Sequence, residues 1–262
     1  FCNDCFKKSF RCPMGFPAKM LRKLATNWHS ITCHFARTLP CLVVTICREM
    51  NLCNIDSERE RLETLNREVL KILGNDWGLG IKRLEGYGDD HKVIHYKLFS
   101  RIPERLGFVS VEAETGSLMR DLEEGFNSSV ESGFGKLLTV EYTASNILRI
   151  GDAFNRAISD QDEKFFSPTD LVYFPLHEEL EKVHASDTED LIALVANTEI
   201  RQKDLIGSVQ KSTKAFGNFW AKMASVTFSP SLASASVLSF CSIIAEISSG
   251  RCCLSPIFTT IP

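Results

Sequence analysis

The chain has 262 residues, 44% hydrophobic and 24% charged, enough to bury a sizeable core in one or two domains. Its net charge of -3 divides unevenly. No acidic residue lies between Cys5 and Arg48, and residues 54–227 hold 21 Lys and Arg against 30 Asp and Glu, while residues 228–262 carry only Glu246 and Arg251. An acidic centre argues against a nucleic-acid partner, because gripping phosphates takes basic patches.

Cysteines follow the same borders, with seven from Cys2 to Cys53, three from Cys241 to Cys253 and none between. A disulfide-stapled secreted fold spreads its cysteines through the core, so this pattern predicts an intracellular, reducing compartment, cytoplasmic or organelle-targeted. The expected organisation is a basic Cys-rich leader over 1–53 (disordered or processed), an α+β subdomain over 54–135, a helical hairpin or bundle over 136–227, and an apolar, Ser-rich tail over 228–262. The fold class expected is α+β, mainly helical, with long amphipathic helices and a small antiparallel β-sheet.

In the leader, the apolar run Leu39–Cys47 is too short to span a bilayer. Its basic, acid-poor composition suits a transit segment. A second reading is a zinc site, with Cys2-x2-Cys5 and His29-x3-Cys33 supplying four tetrahedral ligands.

Ser57 and Glu60 form a capping box opening a helix with Leu62, Leu65, Val69, Ile72 and Leu73 on one face, and Gly74 closes it. The Gly-rich region 74–90 that follows has neither phosphate-loop spacing and reads as turns, although it is the place where an enzyme or ligand-binding domain would work. His91–Phe99 and Phe108–Ala113 alternate polar and apolar residues around a Pro103/Gly107 connector, which predicts a β-hairpin with His91 and His95 on its polar face. From about Ser117, Leu118, Leu122, Phe126 and Val130 recur at fours, a helix that Gly133-Phe134-Gly135 is expected to break.

Residues 137–158 repeat an amphipathic pattern, and Ser167-Pro168 starts another helix. On it His177, Glu181 and His184 share one face. Glu181-x2-His184 is the ligand pair of di-metal bundles, but the chain has no second such pair, so the face reads as solvated. The stretch Asp187–Ala224 contains no proline, and Leu191, Val195, Leu205, Val209, Phe216 and Trp220 fall on one stripe. One helix of that length spans roughly 55 Å and wants a neighbour alongside it.

Residues 137–223 resemble the helical hairpins of BAR domains of the sorting-nexin kind. The resemblance rests on Ile150-Gly151-Asp152-Ala153-Phe154, on Leu171 to Val183, and on Glu199-Ile200-Arg201-Gln202-Lys203-Asp204. It implies a homodimer on curved anionic membrane, with Lys203, Lys211 and Lys214 as lipid contacts, in trafficking. The leading expectation is a non-catalytic scaffold or adaptor that binds a protein partner, or a second copy, through the long stripe. No complete catalytic set is found, and no cofactor is expected beyond zinc in the N-terminal segment.

Overall fold

Leu24, Trp28, Ile31, Phe35, Leu39, Leu42 and Ile46 recur at steps of three or four and are all buried, the single stripe a core helix needs. They belong to helix α1 (Ala18–Leu52) in a computed structural model that describes residues 18–79, 85–141, 143 and 166–225. Side chains of residues 18–21, 181–183, 185, 186, 189, 224 and 225 are outside that description. The remaining helices are α2 (Asp56–Asp76), α3 (His95–Leu106), α4 (Ala113–Ser128), α5 over residues 130–141, α6 (Tyr173–Val195) and α7 (Glu199–Ser225). Helix α1 packs on α2, α3 and α4; α7 lies along α4; α6 lies against α2 and α3. The segment set apart in sequence as a leader therefore contributes, from Ala18 on, a helix of the common core.

The stretch Arg22–Leu52 is long and apolar enough, by length and composition, to cross a membrane. Within the fold, its stripe from Leu24 to Ile46 packs against other helices, which accounts for part of that apolarity, while Val44 remains exposed. Pro40 sits inside α1 and has no N–H, which frees the carbonyl of Ala36 one turn earlier. The indole N–H of Trp77 donates to that carbonyl at 3.0 Å, fastening the end of α2 to α1.

Polar groups on α1 also satisfy the ends of its neighbours. Asn27 Oδ1 accepts from the Glu112 N–H at 2.8 Å and the Thr115 hydroxyl at 2.6 Å, capping the start of α4. The Thr45 hydroxyl and the Arg48 guanidinium donate to the carbonyls of Phe126 and Ser128 at its other end. Glu49 accepts from the Val130 N–H where α5 begins. These pairings run in step, so α1 and α4 are parallel. Asn27→Ala is expected to cost about 1–2 kcal/mol by removing an acceptor from two donors. Urea denaturation measures this, and an unchanged midpoint would refute the capping role.

The predicted antiparallel sheet is not present: no β-strand occurs among the described residues. Asp90–Lys92 is a 3-10 turn, and His95–Leu106 is helical. Leu98 and Ile102 stand four apart, so the apolar alternation of the supposed strand also fits a helical stripe, and α3 buries His95, Leu98, Phe99, Ile102 and Pro103. The link to α4 is extended, but its donors at Val109 and Glu112 go to Thr26 and Asn27 of α1 rather than to a strand.

Two further expectations change. Gly133 and Gly135 do not break the helix; they lie inside α5, where a Cβ on Gly133 would strike Leu42 and one on Gly135 would come within 2.6 Å of Ser208 Cβ. Their bare backbone lets α5 approach α1 and α7 closely. The stretch from Asp187 to Ala224 is also not one helix. Helix α6 runs through Ser186 and Asp187 without starting there and ends at Val195, and α7 begins at Glu199. Thr198 caps the new helix, its Oγ1 accepting from the Arg201 N–H at 3.4 Å.

Candidate metal centre

The last turn of α2 carries Asp76, the first turn of α3 carries His95, and the first turns of α6 carry His177. Packing α6 on α2 and α3 brings one donor atom from each to within 4.8 Å of the other two. His95 Nδ1 stands 3.2 Å from Asp76 Oδ1, an ion-pair contact whose angle falls short of a well-aligned hydrogen bond. His177 Nδ1–H donates to the Tyr173 carbonyl at 2.9 Å, leaving Nε2 as the ring's open lone pair. Aromatic rings hold this imidazole in place: Tyr173 lies 3.8 Å from it by centroids, with Phe99 edge-on to Tyr173 at 4.8 Å, and His95 meets it edge-on at 4.6 Å.

Electrostatics act on two of the three groups. Burial, with the nearby His95, pushes the His177 imidazole down to about 3, so it is neutral at physiological pH. Burial pushes the Asp76 carboxyl up, but His95, with His184 and His177 behind it, outweighs that and holds it below the usual range. The group offered is one carboxylate beside a neutral His177 and the His95 ring, with both rings buried and Asp76 partly so. Deprotonated ligands are what metal binding requires.

A second polar chain adjoins the first. Asn75, next to Asp76 in α2, meets His184 Nε2 with its side-chain amide at 3.2 Å, and His184 Nδ1 lies 3.5 Å from Glu141 Oε2. The side chains of His184 and Glu141 are each 3% exposed. Burial alone would push His184 down, but the Glu141 carboxylate, with Asp76 and Asp187, raises it to about 9. The Asn75 amide serves either charge state, since its nitrogen donates to a neutral ring and its oxygen accepts from a charged one.

The sequence-derived site residues fall elsewhere. Cys2 and Cys5 lie outside the described residues. His29 and Cys33 stand one turn apart on α1, both half-buried, with His29 against the Tyr96 and Phe108 rings and its imidazole pushed down by burial. Leu191, Val195, Leu205, Val209 and Phe216 are buried inside this chain, and Trp220, half-buried, stacks on Trp28 at 5.8 Å. Lys203 pairs with Glu199 and Lys211 with Asp121 and Glu124, while Lys214 is exposed. In the Gly-rich region, Gly78, Gly86 and Gly88 take positive φ in turns. His91 and His95, expected on an exposed strand face, are both buried, as are His177 and His184, expected on a solvated one. Sequence reading missed the centre because its carboxylate comes from another helix. The one signal available was four histidines at helical spacings, His91/His95 and His177/His184.

No protein-family model matches the chain, and no curated protein shows significant similarity to it. The fold and the site together define its class: a helical bundle with a His/carboxylate cluster in its interior.

Proposed function

We propose that this protein binds one divalent first-row transition ion through Asp76, His95 and His177. The observation that carries this is the meeting of one donor atom each from Asp76, His95 and His177 within 4.8 Å of one another, with both imidazoles buried. Two imidazoles and one carboxylate suit iron, zinc or cobalt and leave coordination positions open, where a bound water would be polarised. The scaffold reading has less support, since the stripe at 191–216 already has its neighbours within the chain and needs no partner helix. The lipid reading has less support too, because Lys203 and Lys211 already face carboxylates.

The test is titration of the full chain with Co(II), followed by its visible absorption bands. Saturation at one equivalent is expected, and His177→Ala weakens binding by more than about 100-fold, beyond the effect of an outer-shell change. Absence of saturable bands, or equal binding by the variant, defeats the proposal.

A further inference from the structure

His184 is buried, sits on the same helix as His177 and lies close to the centre, so it invites reading as a fourth ligand. Its partners argue otherwise. Both of its ring nitrogens face protein groups, Nε2 the Asn75 amide and Nδ1 the Glu141 carboxylate, and it does not join the donor atoms of Asp76, His95 and His177 that meet within 4.8 Å. A ring outside that group acts on a metal only through its neighbours. The neighbour here is the end of α2, where Asn75 precedes Asp76 and Trp77 follows it. Trp77 is tied to the Ala36 carbonyl of α1 at 3.0 Å, and Asn75 is tied to His184 of α6 at 3.2 Å. The turn that carries the carboxylate is thus held on both sides, and its rotation is fixed.

Resting on the metal-binding reading above, we propose that the chain Glu141–His184–Asn75 is a positioning strut that aims the Asp76 carboxylate at the ion, with His184 as its positioning residue and not a ligand. Glu141 orients the His184 ring, the ring holds the Asn75 amide, and the amide fixes the turn. Outer partners of this kind change metal affinity by about 10–100-fold when removed.

The experiment compares wild type, His184→Leu, His184→Gln and Glu141→Gln by Co(II) titration, reading affinity, stoichiometry and band position. In the wild type one ion binds. His184→Leu is expected to weaken binding about 10–100-fold and to shift the bands, because Asp76 meets the ion at a different angle. His184→Gln, which still offers a hydrogen bond to Asn75, recovers most of the affinity and the original bands. Glu141→Gln retains the shape of its side chain and serves as the readout should His184→Leu fail to fold, with a smaller change in the same direction. Unchanged affinity and bands in both His184→Leu and Glu141→Gln overturn the strut. So does a stoichiometry that falls from two ions to one in these variants, which would make His184 and Glu141 ligands of a second ion. Absence of binding by the wild type defeats the metal-binding reading itself and is distinguishable from either result.

Discussion

Asp121→Ala is expected to destabilise the protein by about 3–5 kcal/mol, a large part of the roughly 5–15 kcal/mol that holds a typical domain together. Lys136 Nζ lies 2.9 Å from both oxygens of Asp121, and the side chains are only 2% and 6% exposed. The Ser212 hydroxyl donates to the same carboxylate at 2.8 Å, joining α7 to the pair. Gly125 makes room for the lysine stem, since a Cβ there would collide with its Cγ and Cε. Burial pushes the Lys136 ammonium down and Asp121 opposes that, with the net below the usual range. Removing Asp121 strands a charge in the dry interior. Replacing both partners with apolar residues, Asp121→Leu with Lys136→Met, is expected to restore much of the loss, because the penalty comes from the unpaired charge. Urea denaturation measures both variants. A loss below about 1 kcal/mol in the single variant would mean the pair behaves like one on the surface.

The second large effect belongs to the proposed metal site. An ion that binds only the folded chain stabilises it by about 2.7 kcal/mol at 100 times its Kd, which raises Tm by roughly 5–10 °C for a chain of this size. Asp76→Ala should abolish that increment whatever its own baseline stability, since the comparison is made with and without ion in each variant. Thermal melts with Co(II) or Zn(II) provide the measurement. Equal increments in wild type and Asp76→Ala would place the binding elsewhere on the chain.

The helices with regular apolar spacing are legible in the sequence. Leu62, Leu65, Val69, Ile72 and Leu73 are buried in α2 as their spacing predicts, and so are Leu118, Leu122 and Phe126 in α4. Helix α1 was obscured by its basic, Cys-rich composition and by Pro40, although Leu24 to Ile46 keeps a core helix's spacing. What offsets the proline is Trp77, a tertiary partner no local pattern shows. Local ambiguity accounts for the misread hairpin, since apolar steps of two and four coincide over a short run such as Ile94 to Leu98. The break at 196–198 had a visible cause in Asn197-Thr198-Glu199, a capping run inside the long stripe. The site was the least legible part. His95 and His177 look like surface polar residues until α2 supplies Asp76, and what joins these three residues is helix packing rather than spacing.

The most direct measurement is elemental analysis of the purified full chain after loading with a divalent transition ion and removal of excess. One ion per chain is predicted for the wild type, with none retained when His95 and His177 are both replaced by alanine. A wild-type chain that retains no ion, or a double variant that retains as much as the wild type, would contradict the interior metal centre.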